Sequence, residues 1–115
     1  MTDFTARKSD IEMDGYIAVD DLLDDQDVAW YLSCYDKILS GEIDPGQWRS
    51  DLDSGQPKKR DGVENITQVM WPCELIPGLG TSPGYERALH IVRQLVGDDM
   101  AFDFDMLIDK APGTQ

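Results

Sequence analysis

The chain has 115 residues, of which 23 are acidic and 10 are basic, so its formal net charge is −13 at pH 7. A chain of this length forms one domain or part of one. The excess of acid argues against binding to nucleic acid or to an anionic membrane, because both need a basic surface. Two interpretations of the charge stay open. One is a well-solvated acidic surface, which the scattered positions of the acids favour; the other is an acidic interaction module, such as a mimic of a nucleic-acid backbone.

The sequence has no long apolar run and no apolar segment typical of a signal peptide near its N-terminus. We therefore expect a cytoplasmic protein without a membrane partner. Cys34 and Cys73 are far apart in the sequence. In a reducing compartment we expect them to be free thiols, not a disulfide.

The first third of the chain predicts a helix, a strand and a longer helix. Residues 4–14 favour a short helix, and residues 16–19 favour a short strand. Asp24 is placed to cap the longer helix, and Gly41 to end it. The apolar side chains of that helix recur at helical spacing and are Val28, Tyr31, Leu32, Tyr35, Ile38 and Leu39.

Residues 42–62 predict a long polar loop with several glycine-containing turns. A loop of this length is unusual in a compact domain and is often functional or mobile. Asp51-Leu52-Asp53 opens like a calcium-binding loop, but Gly62 stands where the bidentate glutamate belongs, so we reject that site. Lys58-Lys59-Arg60 is too short for a nucleic-acid patch and indicates a solvated turn.

Residues 63–73 are rich in β-branched and aromatic side chains and predict a second strand. Ile66, Gln68 and Met70 share one face of it. Both faces mix polar and apolar residues, so either both contact protein or one lines a cavity. Gln68 and Met70 then either line a pocket or pack in the ordinary way.

Ser82 and Pro83 predict the start of a second long helix, and Gly97 its end. Its predicted apolar stripe is Tyr85, Ala88, Leu89, Val92, Leu95 and Val96. His90 is the only histidine and lies beside that stripe. Since no carboxylate or thiol stands at ligand spacing from it, we expect a structural or exposed role and no metal site.

The last predicted strand covers residues 102–110 and alternates strictly. Its apolar positions are Phe102, Phe104, Met106 and Ile108, with aspartates between them. This alternation predicts that the apolar side chains face a core and the aspartates face water. Lys110 has the parity of the apolar set, so the predicted buried face ends in one positive charge. Pro112-Gly113 then ends the strand.

Three stretches of the chain together resemble the phytanoyl-CoA dioxygenase family. DGYIAVDDLLDDQDVAWYLSCYDKIL is similar to the opening of that family. ENITQVMWP, followed by YERALHIVRQLVGDDMAFDFDMLIDKAPGTQ, is similar to the stretch that leads to its iron site: a helix ending near Val-Gly, a strand and a Lys-x-Pro-Gly turn. The resemblance covers most of the chain, and the order and spacing of the features carry it.

The resemblance implies an Fe(II)- and 2-oxoglutarate-dependent oxygenase that hydroxylates a small organic substrate. The implied fold is α+β, with residues 1–115 as a single partial domain that supplies the helices and first strands of a double-stranded β-helix (jelly roll). In the family, a His-x-Asp pair just after the Lys-x-Pro-Gly turn and a distant histidine hold the iron. We expect the chain to end before those metal-binding strands, to bind neither cofactor alone, to be inactive alone and to be marginally stable.

Lys110 matches the family lysine that closes this strand near the 2-oxoglutarate pocket. The alternative is a strand-end lysine that extends to water. Gln68, Met70 and Met106 are the other candidates for the pocket wall, with ordinary core packing as their alternative. Two other hypotheses also stay open for the whole chain: a complete small acidic α+β protein-binding module without catalysis, and a non-catalytic family member without the jelly roll.

Overall fold

The computed structural model describes residues 3–52 and 66–111, which contain α-helices and an antiparallel sheet. This is the predicted α+β class. The helices are α1 (Lys8–Asp14), α2 (Asp25–Leu39), α3 (Pro72–Leu75) and α4 (Pro83–Leu95); the strands are β1 (Arg49–Asp51), β2 (Ile66–Met70) and β3 (Met106–Lys110). Two compact units divide the chain: Met1–Trp30 with Gly80–Asp103, and Tyr31–Leu79 with Phe104–Gln115. None of the described helices is long and apolar enough to cross a membrane.

The N-terminal segment of the first unit is helical, as predicted for residues 4–14. A 3₁₀ turn leads into α1, which ends at Gly15 with a left-handed φ of +83°. The strand predicted over residues 16–19 is wrong, because these residues belong to no strand. A strand needs a neighbouring ladder. Here the Ala18 carbonyl accepts a 3.0 Å hydrogen bond from the Arg7 guanidinium instead, and the described strands all belong to the second unit.

The start of α2 is set by two aspartates, of which Asp24 was predicted as the cap. The Asp27 N–H donates to Asp24 Oδ1 at 2.8 Å, and the Asp24 N–H donates to Asp27 Oδ2 at 3.1 Å. This reciprocal pair is the arrangement of a capping box. Arg87 on α4 donates to the same Asp27 oxygen at 2.7 Å and to the Leu22 carbonyl at 2.8 Å. Charge and hydrogen bonding therefore join α4 to the start of α2 within the first unit.

Both long helices have the predicted ends, but each buries a stripe displaced from the predicted one. The buried residues are Tyr31, Cys34 and Ile38 on α2, and Gly84, Ile91 and Leu95 on α4. The exposed members of the predicted stripes include Val28, Leu32, Val92 and Val96. Helical spacing defines neighbouring stripes that overlap in sequence. Which one is buried depends on the surrounding protein, and periodicity alone does not choose between them.

The sheet of the second unit has three antiparallel strands in the order β1-β2-β3. Thr67 on β2 stands opposite Asp51 on β1 and Asp109 on β3, and Val69 stands opposite Leu107. Residues that stand opposite each other point to the same face. The buried members of this face are Asp51, Thr67, Val69 and Leu107. It is therefore the core face of the sheet.

The prediction that the apolar parity of the last strand faces the core is wrong. Leu107 is 9% exposed, whereas Met106 and Ile108 are 43% and 50% exposed. The strand is also shorter than predicted, because it begins at Met106. Alternation separates two faces but does not say which is covered. The pairing of Leu107 with the fully buried Val69 decides it.

The predicted loop over residues 42–62 contains β1, which the sequence analysis missed. Its three polar residues carry no strand periodicity, and only their pairing with β2 makes them a strand. The ladder continues past β1, where the Leu52 N–H donates to the Ile66 carbonyl at 2.8 Å. A tertiary partner, not local propensity, forms this strand.

The strand predicted over residues 63–73 ends earlier than expected. β2 stops at Met70, because Trp71 takes a left-handed φ of +60° and Pro72 begins α3. Residues 53–65, which include Lys58-Lys59-Arg60 and the start of the predicted strand, lie outside the described residues.

A pair of neighbouring substitutions tests which face of β3 is buried. We expect Leu107→Ala to lower the free energy of unfolding by about 2–4 kcal/mol, because it leaves a cavity on the core face. We expect Ile108→Ala to lower it by less than about 1 kcal/mol, since half of that side chain is already in water. Urea unfolding followed by circular dichroism measures both. A larger loss for Ile108→Ala would contradict the assigned face.

The Asp27–Arg87 pair makes the stability of the folded chain decrease at acid pH. The hydrogen bond from Arg87, followed by that from the Asp24 N–H, holds the pKa of Asp27 below the ordinary aspartate range. A lowered folded-state pKa stabilises the fold above the unfolded-state value of about 4, and this stability is lost as the pH falls through the folded-state pKa.

We therefore expect Asp27→Asn to lower the Tm clearly at pH 7, and the gap from the unmodified chain to narrow below about pH 4. Thermal unfolding at several pH values measures the gap. Asp25→Asn, in the same helical turn, is the matched control. A gap that stays constant from pH 7 to pH 3 would show that the ion pair does not contribute.

Candidate functional site

The face of the β2–β3 pair opposite the core carries all four residues proposed from the sequence as pocket residues. The register places Ile66 opposite Lys110, Gln68 opposite Ile108 and Met70 opposite Met106. We call these six residues the open sheet face. The three on β2 are half-buried and the three on β3 are exposed. The sheet thus presents a mainly apolar surface to its surroundings.

Two polar groups interrupt this apolar surface. Lys110 ends β3 and supplies the only positive charge of the face, and Gln68 lies diagonally across from it. Diagonal neighbours in an antiparallel pair are about 7–8 Å apart. The Gln68 side-chain N–H donates to the Met70 sulfur at 3.4 Å, which is a weak hydrogen bond. A mainly apolar lining with a few polar groups is typical of small-molecule sites in general.

The structure therefore brings Gln68, Met70, Met106 and Lys110 onto one face. Met106 is exposed, so the alternative that it packs in the core is wrong. The sequence analysis placed Ile66 with Gln68 and Met70, and Ile108 with Met106, but it named neither isoleucine as a pocket residue. Their parity with Gln68 and Lys110 was the signal that could have found them.

Asp105, which directly precedes β3, is hydrogen-bonded to the residues that follow β2. Its carbonyl accepts a 3.0 Å hydrogen bond from the Trp71 N–H, and its carboxylate accepts one of 3.2 Å from the Cys73 N–H. The Phe104 ring packs against the Trp71 ring, with centroids 5.7 Å apart. The sequence analysis predicted only that the Asp105 side chain faces water. Its carboxylate instead holds the first turn of α3, where backbone N–H groups lack helical partners.

Both cysteines are free thiols, as predicted. Burial raises the pKa of the Cys73 thiol to about 11, and the hydrogen bond and negative charge of Asp105 act in the same direction. Burial also raises the pKa of Cys34. Only a thiolate is a strong nucleophile or metal ligand. This raised pKa favours the protonated thiol at neutral pH, which is the weakly nucleophilic form.

The described residues do not supply a ligand set that fits iron. Within residues 3–52 and 66–111, no three histidine, cysteine or carboxylate side chains are grouped to hold a metal ion. The Gln94 side-chain oxygen accepts from the Phe4 N–H at 2.7 Å, so its amide nitrogen is the atom 3.0 Å from His90 Nε2. His90 Nε2 therefore accepts a hydrogen bond from Gln94. That is a structural use of the ring in the first unit.

Searches of protein-family models, of curated proteins and of solved structures found no match to this chain.

The Asp105–Cys73 contact predicts a change in thiol reactivity. Asp105→Asn keeps an acceptor oxygen near the Cys73 N–H but removes the negative charge, so we expect the pKa of Cys73 to fall from about 11. Alkylation of Cys73 by iodoacetamide, followed by mass spectrometry against pH, should show a midpoint at lower pH. Asp109→Asn on β3 is the control and should leave the midpoint in place. An unchanged midpoint in Asp105→Asn would contradict the assigned contact.

Proposed function

We propose that the chain is the N-terminal part of an Fe(II)- and 2-oxoglutarate-dependent oxygenase that resembles the phytanoyl-CoA dioxygenase family. In this proposal the three-stranded sheet belongs to a jelly roll, and the open sheet face forms one wall of its interior pocket. The parent enzyme hydroxylates a small organic substrate. The observation that carries the proposal is the open sheet face itself, where the exposed Lys110, Met106 and Ile108 lie beside the half-buried residues of β2.

The exposure of β3 supports this placement. Met106 and Ile108 are exposed although their side chains are strongly apolar. Burying an aliphatic side chain of this size contributes about 1.5–3 kcal/mol. A second sheet packed over this face, as in a jelly roll, recovers that contribution and encloses Lys110. The resemblance thus explains the apolar parity of the strand, which the described core leaves unexplained.

Each residue of the open sheet face has a distinct role in the proposal. Lys110 pairs its ammonium with a carboxylate of 2-oxoglutarate, while its stem lies along the face beside Ile66. Met70, Met106 and Ile108 exclude water from that ion pair, which strengthens it by lowering the local dielectric. Gln68 offers its side-chain oxygen to a polar group of the bound molecule. The resemblance assigns the iron ligands to residues after the Lys-x-Pro-Gly turn, so no described residue has a role at the metal.

The proposal is tested with the product of the complete natural reading frame and, beside it, the 115-residue chain. Each is incubated with Fe(II), ascorbate and 2-oxoglutarate, and succinate is measured. We expect succinate from the reading-frame product and none above the blank from the 115-residue chain, because the latter lacks an iron ligand set among its described residues. No succinate and no 2-oxoglutarate binding by the reading-frame product would contradict the proposal.

Lys110→Ala in the reading-frame product tests the assigned pocket residue. A hydrogen bond to a charged group contributes about 1.5–3 kcal/mol, so we expect the KM for 2-oxoglutarate to rise roughly 10- to 100-fold. Lys110→Arg should recover part of the loss, since it keeps the charge. Lys37→Ala on the exposed side of α2 is the control and should leave the KM unchanged. An unchanged KM in Lys110→Ala would remove Lys110 from the pocket.

A further inference from the structure

A groove in the first unit has an apolar floor. It encloses about 600 Å³, which is within the range of protein sites for drug-sized ligands, about 300–1,000 Å³. Its apolar lining residues are Phe4, Val19, Leu22, Leu23 and Ile91. Ile91 is buried and the other four are half-buried. The groove lies apart in sequence from the open sheet face, and no described strand contributes to it.

Four aspartates form the acidic lining of this groove: Asp20, Asp21, Asp24 and Asp25. All four are exposed. Among the described lining residues Arg87 is the basic one, and its guanidinium is already bound to Asp27 and to the Leu22 carbonyl. Its charge is therefore largely neutralised within the unit. The potential of the groove is set by the aspartates.

Three of these carboxylates have no counterion among the described residues. Within residues 3–52 and 66–111, Asp20, Asp21 and Asp25 make no ion pair and no side-chain hydrogen bond, while Asp24 caps α2. Like charges that line one groove repel one another, and salt or a positively charged partner relieves that repulsion. They also do not form a metal-ligating group in that part of the chain.

We infer that this acidic groove, formed by the five apolar and four acidic residues, docks a basic segment of another protein. An apolar side chain of that segment enters the groove and contacts Leu22, Leu23 and Ile91. Lysine or arginine side chains on either side of it pair with the four aspartates. Charge complementarity identifies the occupant: several carboxylates beside an apolar floor match a chain that alternates cationic and apolar side chains. A small amine with one or two charges carries too few to pair with all four aspartates.

The inference does not rest on the proposed oxygenase function. It needs only residues of the first unit, and it holds or fails by binding, without any catalytic readout. It gives the exposed acids of this segment a specific role, in place of general solvation.

The test measures binding of a fluorescent synthetic peptide, a leucine pair flanked on both sides by lysine and arginine, to the 115-residue chain. Asp20→Asn with Asp21→Asn removes two charges from the groove. We expect affinity to fall roughly three- to tenfold at low salt, the size expected for the loss of two exposed ion pairs. Asp98→Asn with Asp99→Asn is the matched control, because it makes the same change in net charge next to α4 but outside the groove. Thermal unfolding confirms that each variant is folded.

Three further measurements can overturn the inference. A peptide with serines in place of the leucines should bind several-fold more weakly. The Leu23→Ala substitution should weaken binding of the leucine peptide but leave binding of the serine peptide unchanged. Equal losses in the two double variants would show a general attraction to net charge. Equal binding of the serine peptide would show that the apolar floor is not used. Tighter binding of spermine than of the peptide, abolished in the groove variant, would assign the groove to a small polycation instead.

Discussion

The antiparallel register between β2 and β3 is the constraint on which the second unit depends. Pairing Val69 with Leu107 places these two apolar side chains together on the core face. The same register sends Met70, Met106 and Lys110 to the opposite face. Because side chains alternate along a strand, a slip of one residue would exchange the two faces completely. The core and the candidate pocket wall are therefore two results of a single pairing.

Scarce positive charge shapes both units of this acidic chain. Each arginine in the described residues donates to a backbone carbonyl: Arg7 to Ala18, Arg49 to Ile38 and Leu39, Arg87 to Leu22, and Arg93 to Met100. The rigid planar guanidinium suits this use, because it reaches several acceptors at fixed angles. The described arginines are thus engaged in structural hydrogen bonds to the backbone, which leaves few guanidinium groups to pair with the surface aspartates. The acidic groove is a local consequence of this distribution.

The two proposed surfaces differ in chemistry and in how many of their residues the sequence analysis predicted. The open sheet face combines an exposed lysine with apolar side chains, and the residues that form it share one parity in each strand. The alternation of the sequence alone was enough to predict that Gln68 and Met70 share a face of one strand, and Met106 and Lys110 a face of the other. The acidic groove joins Phe4, Val19–Asp25, Arg87 and Ile91, which are up to 87 positions apart. No local pattern connects them, and only the packing of α4 beside the preceding segments shows the groove.

Local chemistry in the sequence determined where the long helices begin and end. Asp24 caps α2 with its own carboxylate, Gly41 follows α2 with a left-handed φ of +89°, and Pro83 fits the first turn of α4, so neighbouring residues are enough to predict them. Ser82 stands at the predicted N-cap position of α4, but its side chain makes no capping hydrogen bond there. Tertiary structure alone decided which side of each element is buried: Leu107 instead of Ile108, and Ile91 instead of Val92. It also made β1 a strand and left residues 16–19 without one, because a ladder requires a partner that lies far away in sequence. Periodicity describes a face, and only the protein packed against that face decides whether it meets core or water.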